Sequence, residues 1–295
     1  MVRPVVIVAL IVSHAPDLAK LDALVVSLHG QVDAVLLIDN ASPHPPAELA
    51  ARYAPWLRWL PQSCNLGLAA AYNLGIEEAE RLGASHLQTF DQDSLCDPGM
   101  LAELLAAEAR LRQRGLLPGA LGPLYLDRKL DSAPRLPRLD LPAEPGTIPV
   151  AYTINSGLLL PLDSLKRIGR FDERLFIQYV DVEWGWRALA CGLPCYVVEQ
   201  ARLQHDLGDR VIKLPASQRR IPVHAPARNY YFFRNALYLA RRRYIPLRWR
   251  VGELIKLALK VAIQLCLFQQ RPARMRHACA GILDAWRGIS GSRPR

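Results

Sequence analysis

The sequence predicts an α/β protein, a sheet with parallel strands covered by helices, followed by a helical extension of different character. Three observations carry this. Val5 to Val12 is a short, continuous run rich in β-branched residues, as expected of a strand covered on both faces, and Val32 to Ile38 reads as a second buried strand. Leu18 to Leu28, between them, has apolar residues at helical spacing, and so short a strand–helix–strand unit argues for a parallel sheet. The third observation is charge. Residues 1–224 hold 22 Lys and Arg against 25 Asp and Glu, a net of −3, whereas residues 225–295 hold 15 against 2, a net of +13.

The elements follow in order. Met1 to Val12, with Arg3 before an apolar run, has the outline of a signal peptide, but the run is too short to span a membrane and no small-residue cleavage site follows. A buried first strand is expected, broken by His14, Pro16 and Asp17. The second strand ends at Asp39-Asn40. Pro43 to Pro61 reads as loop with a short helix around Ala47 to Tyr53. Small residues dominate Asn65 to Gly75, and a helix starting near Gly67 or Leu68 runs to about Leu82. Ser85 to Phe90 is another buried strand. Pro98 opens a helix over Gly99 to Arg114, and Gly119 to Tyr125 is strand-like. Leu126 to Pro149, rich in proline and charge, reads as a mobile loop near the site. Strand-like sequence resumes at Val150, so no domain boundary is placed there. A helix over Asp163 to Ile168, one from Asp181 to Ala190 stopped by Gly192 and Pro194, and a short strand at Tyr196 to Val198 complete this half. Three helices follow, Arg228 to Tyr244, Arg250 to Phe268 and about Arg274 to Trp286. The expected division is a catalytic domain over residues 1–224 and a basic amphipathic extension over 225–295.

A chain of 295 residues that is 51% apolar has material for a real core. Its cysteines, Cys64, Cys96, Cys191, Cys195, Cys266 and Cys279, include no C-x-x-C pair, and are expected to be reduced, mostly buried thiols of a cytosolic protein.

The chemistry centres on Phe90-Asp91-Gln92-Asp93-Ser94. Past the end of a strand the chain leaves regular pairing, so Asp91 and Asp93 can turn toward one cation. Two hard oxygen ligands suit Mg²⁺ or Mn²⁺; a loop with two solvated acids is the plainer alternative. In open α/β sheets ligands bind beyond the carboxyl ends of the strands. Asp39 sits at such an end, either as a turn former or as an acceptor for a nucleobase or ribose. The small residues from Asn65 to Gly75 allow close backbone approach at a helix N-terminus that favours phosphate, or simply tight packing on the sheet; no Gly-Lys-Ser/Thr ending makes it a P-loop. Asp181 falls in a first helical turn, where the dipole favours a carboxylate. Beside Tyr179 and Trp184 it is either a general-base candidate or, with Glu183, a capping acid. His205, flanked by turn residues, faces solvent, a metal or the core.

Taken together, Asp91-Gln92-Asp93-Ser94, Phe171-Asp172-Glu173 with Phe176 to Trp184, His205 with Leu207-Gly208, and Arg228-Asn229-Tyr230-Tyr231 with Arg234-Asn235 resemble the inverting GT-A glycosyltransferases of family 2, the bacterial rhamnosyltransferases in particular. The resemblance runs from about Val5 to Gly288. It implies a GT-A fold, a Rossmann-like mixed sheet flanked by helices with a C-terminal helical extension. It also implies residue roles: Asp39 at the nucleobase or ribose, Asn65, Gly67 and Asn73 beside the nucleotide, and Asp91 and Asp93 holding the sugar nucleotide through Mg²⁺ or Mn²⁺. Asp181 would be the catalytic base, His205 would lie near the metal and diphosphate, and Asn155 and Gly157 near the donor sugar and acceptor. Val180-Asp181-Val182-Glu183-Trp184 is closer to the rhamnosyltransferases than to the wider family, where Glu-Asp is usual. One departure stands out: the first strand ends in His14-Ala15-Pro16 where the family often has Tyr-Asn-Pro.

The activity so implied is metal-dependent transfer of a hexose, L-rhamnose from dTDP-L-rhamnose, to a saccharide or lipid-linked acceptor in cell-surface polysaccharide synthesis. A nucleotidyltransferase would also pair such a sheet with acidic metal ligands, but would want basic residues in the glycine-rich stretch, and Asn65 to Gly75 has none. A nucleic-acid binder could use the basic tail, but that tail is apolar as well as basic, so no nucleic-acid partner is expected. Lys256 and Lys260 at helical spacing leave an apolar face opposite, with Arg241-Arg242-Arg243, Arg248 and Arg250 just before. That pattern suits a helix lying in a membrane interface and predicts a cytoplasmic protein peripheral on the inner membrane face.

Overall fold

The computed structural model describes residues 5–126, 136–204, 210–213 and 220–293. The chain begins with β1 (Ile7–Ser13), α1 (Leu18–Leu28), β2 (Ala34–Asp39), α2 (Ala47–Arg52), β3 (Leu57–Pro61), α3 (Leu68–Arg81) and β4 (His86–Asp91). It continues with β5 (Leu95–Cys96), α4 (Met100–Gln113), β6 (Ala120–Leu126), β7 (Thr147–Val150), β8 (Leu158–Pro161), α5 (Leu162–Ile168), α6 (Val180–Ala190) and β9 (Cys195–Gln204). The hairpin strands β10 (Arg210–Lys213) and β11 (Arg220–Val223) precede α7 (Arg228–Ala240), α8 (Leu247–Leu267) and α9 (Arg271–Arg287).

The main sheet has the order β3-β2-β1-β4-β8-β6-β9-β5, with β7 also paired to β9. Its first four strands are parallel. β8 then runs antiparallel to both β4 and β6, which makes the sheet mixed, as the GT-A expectation required. Alternation along the strands sorts side chains to two faces. Leu10 and Ile38 pack toward Tyr72 and Ile76 of α3 and Trp184 of α6. Ile11 and Leu37 pack toward Leu24 of α1 and Leu104 of α4. The parallel register puts Ser13 beside Asp39 and Val12 beside Asp91, so three strand ends open on one edge.

Helix α1 matches its expected bounds, with the Asp17 carboxylate accepting the Ala19 and Lys20 N–H groups as an N-cap. Several elements differ from expectation. β3 lies in what reads as loop, because an edge strand of Leu57-Arg58-Trp59-Leu60-Pro61 has neither a buried run nor clean alternation. β9 is ten residues long rather than three. Its middle is hidden by exposed Glu199 and Gln200, and its ladder with β6 shifts register at Pro123/Leu124, where proline has no N–H to give. Part of the expected loop over 126–149 is β7, and residues 127–135 lie outside the described residues. The helix expected to reach Tyr244 ends at Ala240. The cysteines are free, but only Cys96 and Cys195 are buried, which corrects the expectation of mostly buried thiols.

The C-terminal helices are tied to the rest by buried polar groups. Arg234 of α7, 2% exposed, donates to the carbonyls of Arg174, Leu175 and Gly291. The Tyr230 hydroxyl donates to Asp284 of α9 at 2.8 Å. α9 crosses α7 so closely that a Cβ on Gly281 would overlap the Tyr230 carbonyl. No helix among the described residues is long and apolar enough to cross a membrane.

Candidate active site

The open edge of the sheet forms one wall of a cleft of about 510 Å³. The strand ends supply Ser13, His14, Asn40, Asp91, Gln92 and Asp93; the segment before α3 supplies Asn65 and Gly67; the 154–155 bend supplies Asn155. Phe176 to Asp181 close the far side, with His224 and Arg228 at the rim. Of the residues expected at the site, Asn65, Gly67, Asp91, Asp93, Asn155 and Asp181 meet here.

Each is placed by local chemistry. The Asn65 side chain accepts the Gly67 N–H at 2.9 Å, turning the chain into α3. Gly67 has φ +83°, and a Cβ there would overlap the Phe176 ring and carbonyl, so only glycine fits. That carbonyl accepts the Leu68 N–H at 2.6 Å and caps α3. At β4, the Ser156 hydroxyl accepts the Asp91 N–H at 3.2 Å, and Gly157 donates its N–H to Thr89 at 2.7 Å. These bonds hold Asn155, 8% exposed, beside the carboxylates; its Oδ1 has no hydrogen-bond partner among the described residues.

Asp181 stands in the first turn of α6 and accepts the Val182 N–H at 2.9 Å. Burial pushes its carboxyl up to about 6, with the nearby Asp91 charge adding to the rise and backbone N–H groups opposing it. Glu183, two residues on, has the opposite fate. It is 1% exposed and holds Arg187 through Nε and Nη2, each at 2.9 Å, while Arg187 donates to the carbonyls of Ile168 and Arg170. Two residues are about 200° apart around a helix, so one acid faces the cleft and the other braces the fold.

Three expected site residues are braces rather than lining. Asp39 is 2% exposed and accepts from the Ser13 and Ser42 hydroxyls; at this point the cleft wall is Asn40, which accepts the Leu66 N–H. Asn73 exchanges hydrogen bonds with the backbone of Phe171 and donates to Glu173 at 2.8 Å, joining α3 to the chain ahead of α6. Gly157, at φ +77° against Pro123, shapes the bend that presents Asn155. His205 lies outside the described residues.

The sequence reading passed over other lining residues. His14 donates its N–H to Gln92 at 2.8 Å and places Nδ1 2.9 Å from the Asn40 carbonyl, which makes Nδ1 the protonated nitrogen. Arg228 lies 3.3 Å from His224 Nδ1, and no carboxylate of the described residues pairs with it. Its place in Arg228-Asn229-Tyr230-Tyr231 was the available signal. The segment ahead of Asp181 is strained, with Phe176, Gln178 and Tyr179 at φ near +61°, +67° and +63°, a costly region for such side chains. The Asn235 amide of α7 holds it, donating to the carbonyls of Leu175, Ile177 and Gln178 at 2.7–3.0 Å.

Among the described residues no group of three or more His, Cys, Asp or Glu forms a closed metal site. Asp91 and Asp93 on one cleft wall are nonetheless a hard-oxygen pair that fits an Mg²⁺ or Mn²⁺ ion sharing its shell with water and phosphate.

The chain is similar to known proteins in sequence and in fold. The pattern of glycosyl transferase family 2 matches residues 7–118. A dTDP-rhamnosyl transferase of Shigella flexneri is 28% identical over 97% of both chains. An N-acetylglucosaminyl-diphospho-decaprenol L-rhamnosyltransferase of Mycobacterium tuberculosis is 25% identical over 92% of this chain and 96% of that one. In fold, the chain matches a TarS fragment from S. aureus solved with UDP-GlcNAc, with a TM-score of 0.60 and 12% identity over 96% of this chain and 90% of the other. It also matches GalNAc-T7 solved with UDP, GalNAc and Mn²⁺, with a TM-score of 0.57 and 12% identity over 88% of this chain but 56% of that one. Strand-end acids, a glycine-opened helix and a cleft carboxylate thus meet in one GT-A fold, residues 7–118 carry the glycosyl transferase family 2 pattern, and the chain is similar along its length to bacterial rhamnosyltransferases.

Proposed function

We propose that the cleft binds dTDP-L-rhamnose and passes the sugar, with inversion, to a hydroxyl of a saccharide or lipid-linked acceptor in cell-surface polysaccharide synthesis. The observation that carries this reading is that Asp181 faces the same cleft as Asp91 and Asp93, with a carboxyl raised to about 6. A carboxylate of that basicity is ionised at neutral pH and still able to take the proton of an attacking hydroxyl. Among the described residues that line the cleft, Asp181 is the one acid set apart from the Asp91 wall, which favours a single displacement with inversion. Asn155 orients the sugar, and Arg228 with His224 meets the negative charge of the departing diphosphate. Asp91 and Asp93 would hold Mg²⁺ or Mn²⁺, which would supply positive charge at the phosphates. His205 would complete that site. Asp39 and Asn73 serve the donor indirectly, by bracing the strand end and α3.

Residues 225–295 form the extension that brings the enzyme to the cytoplasmic membrane face. The support is an exposed apolar ridge on α8, Leu247, Val251, Ile255 and Leu259 at 66%, 47%, 63% and 59% exposure, spaced four apart on one helix face.

The test is hydrolysis across a panel of sugar nucleotides with and without Mg²⁺ or Mn²⁺. Release of dTDP from dTDP-rhamnose, lost in Asp91→Ala and in chelator, is the expected result. Preference for a UDP-sugar would sink the rhamnose assignment, and full activity in chelator would sink the metal.

A further inference from the structure

We propose that a second pocket, between α7, α8 and α9, binds the phosphate-bearing lipid of a lipid-linked acceptor; this rests on the glycosyltransferase reading above. The pocket holds about 290 Å³. One stripe of α8 lines it, Lys256, Leu259, Lys260, Ile263 and Gln264, the spacing of a single helix face. Phe232, Phe268 and Arg274 complete the wall.

The lining is apolar and cationic at once. Lys260 sits over the Phe232 ring, 3.1 Å from its centroid, and no carboxylate among the described residues is within ion-pair distance of it. Arg274, 7% exposed, donates to the carbonyls of Gln269 and His224 and has no acidic partner among the described residues. Among the described residues Glu253 alone answers these cations, and it is engaged by Lys256 at 3.1 Å and by the Tyr179 hydroxyl at 2.7 Å. Burial pulls the Lys260 ammonium down to about 8, with Glu253 opposing and Arg274 adding to the drop. An anion seated here would offset the cost of burying these charges.

Two continuities say which anion. His224 lines both this pocket and the catalytic cleft, so a phosphate here stands next to the place where an acceptor hydroxyl must arrive. In the other direction, the exposed ridge of Leu247, Val251, Ile255 and Leu259 runs along α8 and ends at the pocket wall. A nucleic-acid or sugar phosphate has no use for that strip, whereas a prenyl or acyl chain covers it.

The experiment titrates the full chain with farnesyl diphosphate, inorganic diphosphate and phosphatidylglycerol vesicles by calorimetry, and with dTDP as a separate probe of the cleft. Farnesyl diphosphate is expected to bind at least about tenfold more tightly than inorganic diphosphate, given the apolar area it buries. Lys260→Met should weaken farnesyl diphosphate about tenfold or more. Leu259→Ser, at an exposed position that cannot upset folding, should erase most of the preference over inorganic diphosphate. Equal binding of the two diphosphates, native-like binding by both variants, or binding to vesicles alone would each overturn the proposal. Binding of dTDP without farnesyl diphosphate defeats the lipid pocket only. Binding of farnesyl diphosphate without dTDP defeats the parent reading and leaves the pocket standing.

Discussion

Helices α7 and α8 are written in the same letters, aromatic, aliphatic and basic, and the fold uses them in opposite ways. α7 turns its polar residues inward. Asn229, Arg234 and Asn235 are each no more than 2% exposed, and Asp172 receives Tyr238 and Arg242 from its C-terminal end at 3.0 and 3.2 Å. α8 turns aliphatic residues outward, with Leu247 and Ile255 more than 60% exposed. The net +13 of the C-terminal quarter is therefore not one basic surface. Part of it lies inside, bracing the segment that leads into Asp181, and only the remainder faces outward beside the apolar ridge.

The largest effect should come from Asp181, the proposed base, which sets the scale for everything α7 does. Asp181→Asn is expected to lower kcat by roughly 10²–10⁴-fold. The same variant should be more stable by about 1–3 kcal/mol, because a carboxyl raised to about 6 disfavours the ionised native state at neutral pH. The sign is opposite for the two properties. In the native chain, activity should fall as pH drops through about 6, while the stability penalty of Asp181 is relieved between about pH 6 and the unfolded value near 4. Rate–pH profiles and thermal melts on both chains check this, and a less stable Asp181→Asn would contradict it.

Next comes Arg234→Ala, which removes a buried guanidinium from the carbonyls of Arg174, Leu175 and Gly291; the Gly291 N–H still reaches Arg174 and the Asn235 amide still reaches Leu175. A loss of roughly 3–5 kcal/mol in denaturant melts is expected, with α7 and the catalytic half unfolding in one transition. Two separate transitions would break the view that α7 belongs to the catalytic body. Asn235→Ala should cost less, about 1–3 kcal/mol, but should also lower kcat more than it changes KM for the donor, because it frees the strained 176–179 segment. Unchanged kcat would reduce Asn235 to a packing residue. Smallest in stability is the double change Leu247→Ser with Ile255→Ser on α8, expected within about 0.5 kcal/mol per site. Its effect belongs in vesicle co-sedimentation, where binding should fall about tenfold. A large stability loss instead would show that α8 has the buried role of α7.

How legible this was in the sequence depended on how local the cause was. The strand–helix–strand start, the acids past β4 and the helix opened at Asp181 follow from patterns within a dozen residues. The two faces of α6 were also legible in principle, since 200° separates Asp181 from Glu183. Asn73 was not. A helical asparagine looks alike whether it meets a nucleotide or a backbone, and here its partner, Phe171, is 98 residues away. Asp39 follows the same rule, its carboxylate taken by Ser13 from the neighbouring strand. β3 lies at an edge where burial is partial, and β7 is four residues long with a proline inside it, so hydrophobic alternation was weak. His14 and Arg228 line the cleft only because the sheet and α7 bring them there.

The Phe176 carbonyl that accepts the Leu68 N–H has a kinetic consequence. The helix whose N-terminus opens on the cleft is capped by the segment that leads into Asp181. On the proposed function, a donor that orders the N-terminus of α3 would through that one cap order the approach to Asp181. Turnover should therefore be ordered, nucleotide sugar first and acceptor second, with each product leaving in the reverse sequence.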